Sequence, residues 1–219
     1  MKKKYSLVIF DIDGTLADTS RLIFDSFNHV AKKYRSKVFT PQEIMSYFGP
    51  PEEVALKNII GEENFDSVWR DYLDYYREHS DDSTIFPGIK KLLTELKSSG
   101  CRLAVFTGKG SHTTEITLSY HGLRDLFDVI VTGSMLKNHK PDPEGVEFAL
   151  KALGIAAGDA VLVGDSRSDF KAAAAARIHF IAAVYDSLAA NRFDNIDCAK
   201  VTTVDQLSSL LLSERNGNE

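Results

Sequence analysis

Cysteine is scarce, with two in 219 residues, Cys101 and Cys198, far apart and without a CxxC or histidine-rich companion. This argues against a disulfide scaffold and a cysteine-built zinc site, and reads as two reduced, packed thiols of a cytoplasmic protein. Long apolar runs are missing too. No stretch approaches the roughly 20 apolar residues of a membrane span. The apolar run after the N-terminal charges is too short for a signal-peptide core, so secretion is not expected. Positive charge is not in excess: Lys and Arg total 26 against 31 Asp and Glu, for a formal charge of -5 and a pI near 5.7. A broad surface for nucleic acid or an anionic membrane is therefore not expected. The basic run Lys2-Lys3-Lys4 reads as a solvated terminus. Internal repeats and low-complexity tracts are absent, and the alanines of 172–176 read as a tightly packing helix face.

What is present is an ordinary globular composition, 43% apolar and 26% charged, in a chain long enough for one domain with an insertion. Short apolar runs alternate with helix-length patterns. Strands are predicted at 5–10, 102–107, 128–132, 160–163 and 180–184, with a weaker one near 199–203. Helices are predicted at 89–99, 113–121, 144–153 and 169–176. Such alternation implies right-handed crossovers and a mostly parallel sheet covered on both faces. Residues from about 19 to 84 break the rhythm. Leu22, Ile23, Phe27, Val30, Ala31 and Tyr34 share one helical face. Thr40-Pro41-Gln42-Glu43 is a capping box with proline at the first helical position. Pro50-Pro51-Glu52-Glu53 opens another helix, and residues 64–77 form an aromatic-rich one. The expected organisation is a core of 1–18 and 85–219 with a helical insertion of 19–84, whose aromatics Phe65, Trp69, Tyr72, Tyr75 and Tyr76 read as packing.

Ligands of open parallel sheets bind at the carboxyl ends of the strands. Four predicted strands lead there into reactive groups: Asp11 and Asp13; Thr107-Gly108-Lys109; Lys140-Pro141 after a turn and a loop; and Asp165 with Asp169. Each alone admits a bland reading, as a turn, a helix start or a surface lysine. Four at one sheet edge suggest a phosphate site with a metal. Three converging acids, Asp11, Asp13 and Asp165, repel one another unless a hard dication relieves them. Thr107, the Gly108 N–H and Lys140 supply the donors and positive charge that a phosphoryl group needs.

With these stations in order, the chain resembles the haloacid dehalogenase-like superfamily. The resemblance is to its phosphoglycolate phosphatase-like branch, with a helical cap inserted after the first motif. It covers essentially the whole chain and rests on DxDGT at 11–15, the TxK-type motif at Thr107, the KP lysine at Lys140 and GDSxxD with Asp165 and Asp169. It implies an α/β fold, a Rossmann-like doubly wound parallel sheet core with an inserted α-helical cap that sets specificity. It also implies Asp11 as nucleophile and Asp13 as general acid and base. Mg²⁺ would be held by the Asp11 carboxylate, the Asp13 carbonyl and Asp165. Thr107, Gly108 and Lys140 would grip the phosphoryl oxygens, Asp169 would orient Lys140 or a metal-bound water, and Thr15 would fix the turn and Asp13.

Dehalogenating relatives lack the second aspartate, which this chain has. Sugar phosphomutase relatives carry a cap histidine and a Lys-Gly-x-x-Arg-Glu loop, which fall here at Ile23 and at Phe48-Gly49-Pro50-Pro51-Glu52-Glu53. Similar Gly-Pro-Pro loops occur in phosphoglycolate phosphatase-like enzymes and a related pyrophosphatase, so Phe48, Gly49 and Pro50 are candidate substrate-facing residues. Lys109 either faces substrate or is a solvated helix-start lysine. Two positions depart from the pattern: Arg177 stands where a glycine is usual, and a familiar Trp-Gly is missing near Val184-Tyr185-Asp186. Of the histidines, His139 is the one beside a site residue. The expected protein is a cytoplasmic phosphatase of a small phosphorylated metabolite, monomer or homodimer, without nucleic-acid or membrane partners. Pyrophosphate, nucleotides and sugar phosphates are alternative substrates, and a phosphotransferase or a non-catalytic phosphoryl-binding protein is the competing class.

Overall fold

The apolar run after the N-terminal charges forms strand β1 (Leu7–Phe10), buried along its whole length. It lies at the centre of a computed structural model that describes residues 5–185 and 191–213; Lys2-Lys3-Lys4 and Asp186 fall outside those residues. After β1 come the short strand β2 (Ala17–Asp18) and four helices, α1 (Ser20–Arg35), α2 (Pro41–Met45), α3 (Glu52–Ile60) and α4 (Phe65–Glu78). Strand β3 (Thr84–Ile85) and helix α5 (Ile89–Ser98) lead into β4 (Arg102–Phe106), α6 (Ser111–Tyr120), β5 (Val129–Val131) and α7 (Glu144–Leu153). The chain continues through β6 (Ala160–Gly164), α8 (Arg167–Ala175), β7 (His179–Ala183), β8 (Ala199–Val201) and α9 (Val204–Leu212).

Six strands form one parallel sheet in the order β5-β4-β1-β6-β7-β8. This is the α/β, Rossmann-like architecture. Alternating side chains of β1 feed both faces, as strand geometry requires. Val8 and Phe10 join α5 and α9 residues such as Leu92 and Leu207 on one side. Leu7 and Ile9 join Val146 of α7 and Ala172 of α8 on the other. Burial on both faces explains why the central strands read as continuous apolar runs. Phe10 lies opposite Val105 in β4 and Val163 in β6, so these three strands end level and deliver Asp11, Thr107 and Asp165 to one edge.

Helices α1–α4 pack around a core of their own, with Phe27, Val30, Leu56, Val68, Tyr72 and Tyr76 at its centre. The chain leaves the sheet through β2 and returns through β3, antiparallel partners that pair Ala17 with Ile85 and Asp18 with Thr84. The capping box at Thr40 forms as expected. Tyr72 and Tyr76 are fully buried, in keeping with a packing role for the aromatics.

Three features differ from expectation. Two-residue strands β2 and β3 are too short to carry a periodic signal. Helix α9 buries Val204, Leu207 and Leu211 at helical spacing after the N-cap Thr203, a signal present but unread. Helix α8 begins at Arg167, not Asp169, because Ser166 caps it and Asp169 is the reciprocal partner in a capping box. Arg177, in place of the usual glycine, takes the left-handed conformation (φ 58°) after α8, and the Ile178 N–H closes the turn on the Ala173 carbonyl.

Candidate active site

At the end of β1 the backbone turns sharply. Gly14 adopts φ 74°, and its N–H donates to the Ala17 carbonyl at 2.8 Å while Leu16 N–H donates to that of Ile12 at 2.8 Å. A Cβ on Gly14 would lie 2.6 Å from an Asp165 oxygen, so glycine is needed here for both conformation and space. The turn sends the two aspartates apart. Asp11 points into the sheet edge, 8% exposed, with its Oδ1 3.0 Å from Lys140 Nζ. Asp13 points towards α1, where the Thr19 hydroxyl donates to it and Lys109 Nζ lies 3.2 Å away.

Lys140 is held from both sides. Its Nζ lies 2.6 Å from Asp169 Oδ1, and the fully buried Asp169 accepts through Oδ2 from the backbone and hydroxyl of Ser166 at 3.1 and 2.6 Å. The α8 capping box thus aims the carboxylate that aims the lysine. Asp165 completes the edge and pairs with Arg192. Oxygens of Asp11, Asp165 and Asp169 lie within 4.8 Å of one another, a donor set suited to a hard cation. Burial, with help from the neighbouring carboxylates, pushes Asp11 up to about 7 and Asp165 up to about 8. Burial alone would lower Lys140, but Asp11 and Asp169 raise it above its ordinary value and keep it charged. Three carboxylates here face one lysine and one arginine, so the residues fit a divalent ion, whose charge would offset the repulsion among them.

The edge opens into a cavity of about 350 Å³. Thr107, Gly108 and Lys140 line its floor, and Phe48, Gly49 and Pro50 descend from the loop between α2 and α3. The Gly49 carbonyl lies 3.8 Å from where a Gly108 Cβ would stand, so this loop sits directly over the end of β4.

The family model for haloacid dehalogenase-like hydrolases matches residues 8–183. A pyrophosphatase, PpaX of Bacillus velezensis, is 33% identical over 172 residues, which are 78% of this chain and 79% of that protein. The chain belongs to the haloacid dehalogenase-like hydrolase family. Among solved structures, a predicted phosphatase from Clostridium acetobutylicum superposes with a TM-score of 0.76 at 26% identity, covering 95% of this chain and 98% of the other. A predicted phosphoglycolate phosphatase from Haemophilus somnus reaches a TM-score of 0.78 at 23% identity, covering 94% and 98%, and shares the fold.

Within this haloacid dehalogenase-like hydrolase, most sequence-predicted residues meet at the cavity, but some differ from their expected settings. Thr15 is fully buried, yet its hydroxyl has no hydrogen-bond partner among the described residues. It fixes the turn through its N–H, donated to the Ile12 carbonyl at 3.1 Å, and the hydroxyl that holds Asp13 belongs to Thr19. Lys109 is not solvated: it is 4% exposed, between Asp13 and Glu52, with Nζ 5.1 Å from the Tyr76 ring centroid. Burial opposes its charge, but Asp13, Tyr76 and Glu52 raise its pKa well above the ordinary lysine value.

Glu52 is the contact that motif reading missed. From the first turn of α3 it accepts the Gly110 N–H and the Thr113 hydroxyl (2.8 Å) at the start of α6, and lies 3.4 Å from Lys109 Nζ. It caps a helix whose own N-cap, Gly110, has no side chain to do so. Arg192 was missed as well, because it lies 27 residues from its partner Asp165 in a segment without a motif. None of the six histidines lines the cavity; His139 faces a neighbouring groove with Asn138 and Pro141. Among the described residues no helix is long and apolar enough to cross a membrane.

Proposed function

We propose that this chain is a Mg²⁺-dependent phosphatase that hydrolyses a small phosphorylated metabolite, a phosphomonoester, through an aspartyl-phosphate on Asp11. The reading is carried by the divergence of Asp11 and Asp13, one beside Lys140 and the acid cluster, the other beside the open cavity. Residues 1–18 and 85–219 would form the catalytic core, and 19–84 a cap that selects the leaving group. Asp11 and Asp165, with the Asp13 carbonyl, would hold Mg²⁺, which when bound offsets negative charge as a carboxylate approaches phosphate.

Asp11 Oδ attacks phosphorus, forming a P–O bond as the bond to the leaving oxygen breaks. Asp13 delivers its proton to that oxygen, and then removes one from the water whose oxygen attacks the acyl phosphate, releasing phosphate and restoring Asp11. Lys140, fixed by Asp169, steadies the phosphoryl oxygens together with Thr107 and the Gly108 N–H. With Mg²⁺ and p-nitrophenyl phosphate, wild-type protein is expected to release phosphate, and Asp11→Asn or a chelator to abolish release. Substantial turnover by Asp11→Asn would sink the assignment. The identity to a protein named pyrophosphatase favours pyrophosphate as the second reading.

A further inference from the structure

The wall of the cavity opposite the acids is apolar. Ile23 and Phe24 of α1, Met45 of α2, Phe48 and Pro50 of the following loop, and Ala55 of α3 face the phosphoryl end from across the opening. Phe48 is 49% exposed and Met45 38%, unusual for large apolar side chains gathered at one place. Phe48 also stacks on Phe24, with ring centroids 6.5 Å apart and planes inclined by 17°, so the two rings support each other at the cavity edge.

Charge at the cavity is equally one-sided. Among the described residues three cations line it, and each faces acids: Lys109 with Asp13 and Glu52, Lys140 with Asp11 and Asp169, Arg192 with Asp165. Among the lining residues between 19 and 84, Glu52 is the one charged group, and it is an acid. Among the described residues no cation stands on this apolar wall to meet a carboxylate or second phosphate of the leaving group, and burying an unpaired charge is costly. A neutral, flat or branched hydrocarbon portion would displace water from that wall and gain from it.

We propose that the leaving group of the substrate is a neutral alcohol with a compact apolar body, seated against Phe24 and Phe48, and that phosphoglycolate and pyrophosphate are poor substrates. The inference rests on the phosphatase reading above and names its substrate class. A cavity of about 350 Å³ suits a phosphoryl group with a body of roughly one ring.

The test compares kcat/KM for benzyl phosphate, phosphoglycolate and pyrophosphate at saturating Mg²⁺. Benzyl phosphate and phosphoglycolate both release a primary alkoxide, so intrinsic reactivity differs little between them. Benzyl phosphate is expected to be preferred at least tenfold over either anionic substrate. The ratio of benzyl phosphate to phosphoglycolate should fall about tenfold in Phe48→Ala. In Phe48→Lys it should fall further, because the new cation meets the carboxylate. Phe48 is half-exposed, so both variants are expected to fold; Met45→Ala, at a second exposed position, provides an independent reading of the same ratio. Preference for phosphoglycolate, or a ratio unchanged in all three variants, overturns the inference and leaves the phosphatase reading standing; preference for pyrophosphate overturns it in favour of the second reading. No phosphate release from any of these substrates or from p-nitrophenyl phosphate overturns both.

Discussion

Lys140 reaches Asp11 because Asp169 stands behind it, and Asp169 stands there because residue 164 has no side chain. A Cβ on Gly164 would lie 2.5 Å from Asp169 Cγ and 2.7 Å from its Cβ, deep in the protein where neither can yield. Gly164→Ala is therefore expected to push Asp169 off the lysine, at a stability cost of about 1–3 kcal/mol for overpacking. Activity should suffer more than stability. A lysine displaced by about an ångström loses roughly 100-fold in kcat/KM, measured with p-nitrophenyl phosphate at a temperature where the thermal melt shows the variant fully folded. Activity within twofold of wild type would mean that Asp169 does not position Lys140. The same scale accounts for Asp13, whose rotamer is set by one hydroxyl, that of Thr19, and one ammonium, that of Lys109.

Between elements, the contact that ties α3 to the start of α6 is polar and buried. Glu52 is 7% exposed and Lys109 4%, so removing either partner leaves a desolvated charge behind. Lys109→Met is expected to destabilise by about 3–5 kcal/mol, as for other broken buried pairs. In the double variant with Glu52→Gln the two losses should fall short of their sum by about 0.5–3 kcal/mol, read from urea midpoints of the four proteins. Strict additivity would show that the two side chains do not interact. This contact also marks where sequence reading stops. The strand ends were legible because each reactive group follows an apolar run locally, and a parallel sheet brings such ends together. The α8 capping box was not read, although Ser166 and Asp169 lie three apart, and the helix was therefore expected to start at Asp169 instead of Arg167. Nothing local distinguishes Glu52 from an ordinary acid in a first helical turn; its partner Thr113 is 61 residues away. Arg192 escaped for the same reason, Thr19 because it lies six residues past Asp13 and outside the motif, and β2 and β3 because two residues carry no period.

For the whole molecule, the arrangement concentrates negative charge at one place on a chain already at -5. Asp11, Asp165 and Asp169 cluster around Lys140, and Arg192 covers one acid from outside. Folding brings these acids together, so an ion that binds the folded chain alone stabilises it by mass action, by about 2.7 kcal/mol at a concentration 100 times its dissociation constant. For a chain of this size each kcal/mol raises Tm by roughly 2–4 °C, so saturating MgCl₂ is expected to raise Tm by about 5–10 °C. Screening of general repulsion would also raise it, but NaCl at matched ionic strength would then do the same. Asp165→Asn separates the two effects, since it removes a ligand and leaves the rest of the surface unchanged. The Mg²⁺-specific shift should vanish in that variant while any shift with NaCl persists. An equal Mg²⁺ shift in wild type and Asp165→Asn would show that the ion does not bind through Asp165, whatever the enzyme does to substrate.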